Sequence, residues 1–423
     1  MRKTKQTEEI VTIQKLVHGG QGFAELADGR KVFVWNALPG EKVRIRIIKQ
    51  KRTYAEAIAE DIIEPSKERI EPQEANYLAT SPWQIMNFRA ENAAKQMIVE
   101  ELFRHEKVLL PKYGQTVEAG TEWNYRNKME YSFWGDDDGL HLALHQRGSH
   151  GKQIVQGSKL ALPAVDKAAN AVLKEIKKLD IRAGDLKTII VRANQSGQAA
   201  ASLFVKPQEF PELVLPEGLQ GIRIYHSNPQ SPASLRTKLL QELGDCTLID
   251  QLLDQQFTYD VDSFFQVNVP IFEKALTSIK SLCKSASVTD MYAGVGTIGL
   301  SLAGVRVNLI ELDQATAEMA RINVKNSKKQ ATVVEASTEK VLDYITGAEP
   351  VIFDPPRAGL HDKVIYRIFD VKPEQIIYLS CNPATHARDL AKLQEIYTIT
   401  HFEIFNFFPR TPHIETLAVL SLK

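Results

Sequence analysis

Apolar and polar residues alternate in short runs through residues 10–64, with turn signals at Gly19-Gly20, Asp28-Gly29 and Pro39-Gly40. Period-two alternation broken at that spacing predicts a small barrel of about five strands. Within it, Lys42 to Ile48 would present Lys42, Arg44 and Arg46 on one face and Val43, Ile45 and Ile47 on the other. Lys49, Lys51 and Arg52 extend the charged stripe, with no acidic residue between 42 and 52. Such a face suits a nucleic-acid backbone or an ordinary solvated surface. The charged, proline-bounded stretch from Pro65 to Pro72 reads as a linker. Residues 88–106 carry apolar positions at helical spacing, and this helix is free to pack on a later domain. Residues 122–255 mix strand-like runs, such as Lys187–Val191 and Ala200–Val205, with a helix near 164–178, an α+β pattern.

The grammar changes near residue 256. Ser287–Met291, Arg306–Ile310, Ala331–Val334, Pro350–Phe353 and Gln375–Leu379 read as buried strands with helices between several of them. Two further apolar strands, at 398–408 and 416–422, close the chain. The expected class is therefore α/β. A Rossmann-like C-terminal domain (256–423) follows an OB-like N-terminal barrel (1–64) and a central α+β domain (65–255).

Composition adds little but removes options. The 423 residues hold 52 Lys+Arg and 52 Asp+Glu, so any nucleic-acid surface must come from local clustering. No apolar run approaches the roughly 18 residues of a membrane span. The N-terminal Met-Arg-Lys-Thr-Lys-Gln-Thr-Glu-Glu lacks the apolar core of a secretory signal. Cys246, Cys283 and Cys381 show no paired or metal-ligand spacing. A cytoplasmic protein with reduced thiols is expected, and nothing suggests more than a monomer.

Four constellations carry chemistry. Asp290-Met-Tyr-Ala-Gly294-Val-Gly296-Thr-Ile-Gly299 follows a strand, and Glu311 ends the next one 21 residues beyond Asp290. Glycines there let a ligand approach the backbone, and an acid at that distance suits a ribose diol. The pattern accepts a dinucleotide or S-adenosylmethionine. Asp354-Pro355-Pro356-Arg357 lies at the end of a later strand, where sheet ligands sit, and its prolines stiffen the loop. An aromatic at position 357 would suggest amine methylation, and arginine counts against it. Ser380-Cys381-Asn382-Pro383 ends the following strand at the same rim, while His413-Ile414-Glu415-Thr416 precedes the last one.

Together these meet the demands of one reaction. Carbon 5 of uracil is too weak a nucleophile to take a methyl group until a thiolate adds at carbon 6. A base must then remove the carbon-5 proton so that the thiolate can leave. A nicotinamide oxidoreductase would use the glycine turn but give Cys381 and Glu415 no shared purpose. A non-catalytic RNA-binding protein would have no reason to keep both.

On Ser263-Phe264-Phe265-Gln266-Val267-Asn268, Asp290–Gly296, Asp354–Arg357, Ser380–Pro383 and His413–Thr416, the chain closely resembles the RNA uracil-5 methyltransferases that begin with a TRAM domain. The resemblance implies Cys381 as nucleophile and Glu415 as base. It implies Gln266, Tyr292, Gly294, Thr297, Glu311 and Asp354 on S-adenosylmethionine. Phe264 or Phe265 would stack on a flipped uridine. Arg357, Arg44 and Arg46 are further candidates to touch RNA. The implied substrate is 23S ribosomal RNA, with transfer RNA as the alternative. Many relatives hold an iron–sulfur cluster on four cysteines. Glu74, Thr80, Trp83 and Lys159 stand at or near those places, so no cluster and no metal is expected. Ala336-Ser337 is a smaller departure, at a position where relatives often offer the cofactor a polar side chain.

Overall fold

The computed structural model describes residues 8–148, 151–302 and 306–423. Most of the N-terminal segment read above for a signal lies outside them. No described helix is long and apolar enough to cross a membrane.

The alternating N-terminal runs form one six-stranded sheet. Its order is Glu8–Thr12, Lys42–Gln50, Tyr54–Glu64, Lys31–Trp35, Gly22–Glu25, Lys15–Leu16. The strand beyond the expected five is the two-residue Lys15–Leu16, too short for periodicity to register. Val43 and Ile45 are buried, with Val32, Val34, Ala55 and Ala57 across the core.

The stretch from Pro65 is not a free linker. Arg69 donates from Nε and Nη2 to the buried carboxylate of Glu41, at 2.5 and 2.8 Å. Its backbone also bridges to Met86.

A second, seven-stranded sheet runs Lys238–Gly244, Gly221–His226, Ala199–Val205, Leu186–Ala193, Lys128–Asp136, Gly139–His145, Lys152–Ile154. Helix Pro163–Ile176 closes one face through Val165, Ala169, Val172 and Ile176, at helical spacing. The hairpin Thr247–Leu252/Gln255–Asp260 spans the boundary drawn at 255/256. Its Phe257 and Tyr259 share a core with helix Val269–Leu282.

The third sheet has the order Ala331–Glu335, Arg306–Glu311, Ser287–Met291, Val351–Phe353, Gln375–Ser380, Glu415–Leu422, Tyr397–Phe405. Its first five strands are parallel and the last two antiparallel. Continuous apolar runs such as Ile376–Leu379 are what a strand buried on both faces requires. Helix Phe88–His105 packs here, far from it in sequence, setting Phe103 edge-on to Phe402 and His386. The mixed α/β class with a Rossmann-like C-terminal sheet is therefore as the sequence implies.

Candidate active site

The antiparallel ladder between the fifth and sixth strands of that order ends on the pair Ser380 and Thr416. Cys381 directly follows one member of that pair and Glu415 directly precedes the other, so sheet geometry brings residues 34 positions apart to one end of the ladder. Both line one cavity of about 650 Å³, together with Asp354, Arg357, Tyr292, Gly294, Glu311, Gln266 and Phe264.

The environment works against charge here. Glu415 is 1% exposed, and its Oε1 has no hydrogen-bond partner among the described residues. Burial, then the neighbouring Asp354, push its carboxyl well above the usual range, with Arg357 opposing. Burial and the charges of Glu415 and Asp354 push the half-buried Cys381 thiol up to about 12, again against Arg357. Asp354 itself rises to about 7 through burial, opposed by a 3.3 Å hydrogen bond from Gln266 Nε2.

Asn382 fastens the two loops. Its side chain caps helix Pro383–Leu393 by accepting from Ala384 N, and its Nδ2 donates to Arg357 O at 2.9 Å. The Arg357 guanidinium is left to donate to His413 Nδ1 at 3.2 Å. Behind the pair, Thr416 Oγ1 lies 2.7 Å from Nδ1 of the buried His386.

At the other end, Glu311 accepts from Gly294 N at 2.9 Å and from Asp313 N at 2.8 Å. Only Gly294 of the three glycines reaches the main cavity. A Cβ on Gly296 or Gly299 would instead strike Leu309 at 2.9 Å, so those two let the short helix Thr297–Ser301 close on its strand. Asp290 accepts from Gly299 N at 2.8 Å, and burial lifts its carboxyl to about 8. Thr297 does not line the main cavity; it faces a small adjoining void.

The structure bears on two expectations. Phe265 is 2% exposed and stacked on Tyr259, with ring centres 4.0 Å apart, so it is largely core and only touches the cavity lining. Phe264, 61% exposed at the cavity edge, has the free face for a base. The stripe on Lys42–Gln50 is not a bare cationic face. Lys42 pairs with Glu64, Arg44 with Asp61, Arg46 with Glu60 and Lys49 with Glu56, all on the adjacent strand Tyr54–Glu64.

The structure adds residues that the motifs did not single out. Leu312, Thr338, Glu339 and Phe408 also line the cavity, beside His413 of the last motif. The Gln266 segment is clamped from the middle sheet. Asn127 donates to Gln266 O and Val267 O, and the buried Arg192 donates to Ser263 O and Phe265 O. The loop before Glu415 is anchored by Glu91 on Arg410 N and by Lys95 on Phe408 O, both from buried side chains. The barrel reaches the same loop, because a Cβ on Gly20 would lie 2.4 Å from Pro412.

The residues at or near the places that the resemblance gives to cluster cysteines do not fit an iron–sulfur cluster. Glu74 accepts from Lys159 N and Gln84 Nε2, both at 2.7 Å, Thr80 Oγ1 meets Ser81 Oγ, and the buried Trp83 donates to Gly20 O. These groups offer no thiolate and are already bonded to protein. Among the described residues no cluster of three or more His, Cys, Asp or Glu is arranged to hold a metal ion.

A family model described as tRNA (uracil-5-)-methyltransferase matches residues 237–423, and a TRAM domain model matches residues 2–59. An uncharacterized RNA methyltransferase of Listeria innocua is 30% identical, the match covering 100% of this chain and 99% of that protein. One from Enterococcus faecalis is 29% identical, covering 97% and 96%. A Pyrococcus abyssi tRNA (uracil-54, C5)-methyltransferase, solved with S-adenosyl-L-homocysteine, superposes with a TM-score of 0.76 at 23% identity. That superposition covers 97% of this chain and 100% of that one.

Proposed function

The chain belongs to the RNA uracil-5 methyltransferase family and depends on S-adenosylmethionine, and from that premise we propose that it makes 5-methyluridine in 23S ribosomal RNA through a covalent Cys381 adduct. One observation carries the proposal: Cys381 and Glu415, which adjoin the Ser380–Thr416 pair that ends the ladder, line one cavity with Gly294 and Glu311.

Gln266, Tyr292, Gly294, Glu311 and Asp354 would hold the cofactor, which when bound supplies an electrophilic methyl group. Phe264 offers its exposed ring to the target base. The Cys381 thiol gives its proton to water at the open mouth, and its sulfur bonds to carbon 6, leaving carbon 5 electron-rich. After transfer, Glu415 takes the carbon-5 proton and the carbon–sulfur bond breaks, returning the electron pair to Cys381. A carboxyl held high by burial is a stronger base than one in water, which suits this abstraction.

The TRAM match supports the ribosomal substrate. The matched description and the P. abyssi fold keep transfer RNA as the second reading. The same reading takes the enzyme as a cytoplasmic monomer, consistent with three unpaired cysteines. Incubation with labelled S-adenosylmethionine and unmodified 23S or transfer RNA, followed by nucleoside mass spectrometry, tests it. A 5-methyluridine peak is expected from 23S RNA. A peak from transfer RNA alone would overturn the substrate, and no peak from either would overturn the reaction.

The rate should also report on the thiol. Cys381 must lose a proton to add, and Glu415 must be free of one to take another. Both groups are held up, so acid suppresses both steps and the rate climbs with pH. Single-turnover methylation should rise close to tenfold per pH unit and show no plateau by about pH 9, where a thiol of ordinary pKa of about 8.5 would begin to level off. A plateau below pH 8 would show that thiol ionisation does not limit the reaction.

A further inference from the structure

Three arginines whose charges act on the cavity-lining His413 lack the carboxylates that neutralise the barrel stripe. Arg126 is half-buried, its Nε is shut off from water without a hydrogen-bond partner, and it makes no ion pair among the described residues. Arg147 donates from Nε to Leu78 O at 2.7 Å and stacks on Trp35 at 4.0 Å, also without a carboxylate. Arg357 has His413 as its side-chain partner.

Arg126 and the barrel turn that carries His18 come from separate parts of the chain and meet at one loop, while Arg147 stacks on the barrel's Trp35. Tyr125, next to Arg126, donates to Pro409 O at 2.9 Å, and Gly20 abuts Pro412, so both neighbourhoods flank the loop carrying His413. Their charges are felt there. Burial, and then the positive charges of Arg357, Arg126, Lys95 and Arg147, hold the His413 imidazole down at about 3. At the tip of the barrel loop, crowding by surrounding protein and the Arg357 charge likewise hold His18 below its ordinary value. A guanidinium left partly dehydrated without an anion is costly unless a partner supplies one.

We propose that Arg126 and Arg147, with Arg357 and His18, form a rim that grips backbone phosphates of the RNA strand flanking the target nucleotide, and that the barrel strand Lys42–Gln50 does not. This rests on the RNA-methylating reading and assigns the grip within it. Phosphate is the anion that RNA brings in quantity, and arginine forks match its oxygens. On the barrel strand, RNA would first have to displace four carboxylates already paired with their cations.

Salt dependence separates the two surfaces. For a single strand, each phosphate contact contributes roughly 0.7 to the slope of log affinity against log salt. Arg126→Gln and Arg147→Gln should each weaken RNA binding and flatten that slope by about 0.7, while Arg126→Lys and Arg147→Lys keep it. The double variant Arg44→Gln/Arg46→Gln should leave the slope as in the wild type. S-adenosylmethionine binding, measured on each sample, shows that the fold is intact, and if one glutamine variant does not fold the other decides the matter. Unchanged slopes in the rim variants, or a slope lost in the barrel variant, would overturn the rim. A wild type that methylates RNA with such indifferent slopes leaves the reaction standing, whereas one that methylates no RNA removes the reading beneath it.

Discussion

Cys381→Ala should lower 5-methyluridine formation by a factor on the order of 10⁴ or more while leaving S-adenosylmethionine affinity within about twofold. The size follows from the substrate. Without sulfur at carbon 6, carbon 5 of uracil never becomes a competent nucleophile, and orientation alone does not replace a covalent bond. The insensitivity of cofactor binding follows from the layout of the cavity. Glu311 and Gly294 are fixed to each other by backbone hydrogen bonding, and the Gln266 segment is clamped by Asn127 and Arg192. None of these contacts passes through Cys381. Substitution also removes a thiol that burial and two carboxylates already disfavour as an anion, so the variant leaves no unpaired charge behind. Methyl transfer to RNA and cofactor titration on the same preparation check both halves. A variant retaining a tenth of wild-type turnover would show that Cys381 is not the nucleophile.

What the sequence made legible and what it hid have physical causes. Asp354 and Cys381 could be placed at one rim because a parallel sheet of continuous apolar strands collects its ligands at the strand ends. Their local motifs carry that information. That Cys381 and Glu415 share one cavity could be inferred from chemistry but not from pattern, since it depends on the register of the antiparallel pair formed by the fifth and sixth strands of the sheet. The pairing of the Arg44 and Arg46 stripe was hidden because strand alternation gives the face of a residue and not its neighbour across the ladder. The neutralising Glu56, Glu60, Asp61 and Glu64 lie on the next strand. Phe264 and Phe265 are adjacent aromatics with equal propensities, and only the Tyr259 stack decides which one is core. Asn127, Arg192, Glu91 and Lys95 act on loops 71 to 319 residues away, and buried polar contacts of that range leave no local signal.

Glu415→Gln should add to RNA and transfer the methyl group, then stall as a covalent protein–RNA complex visible as a retarded band on a denaturing gel. Turnover should fall on the order of 10²–10⁴-fold. The amide has the shape of the carboxyl and cannot take the carbon-5 proton, so the carbon–sulfur bond has no electron pair to expel it. The earlier steps should survive. Glu415 Oε1 has no hydrogen-bond partner among the described residues, and losing the carboxylate charge removes one cause of the raised Cys381 thiol. Thr416 and His386 still hold the start of the strand through their 2.7 Å contact. The variant therefore separates a base from a mere neighbour of the thiol. A group needed only for packing would, when altered, weaken addition and release together and leave no trapped band. Normal turnover would remove Glu415 from proton abstraction and leave Asp354, the other carboxylate acting on the Cys381 thiol, as the group to test next.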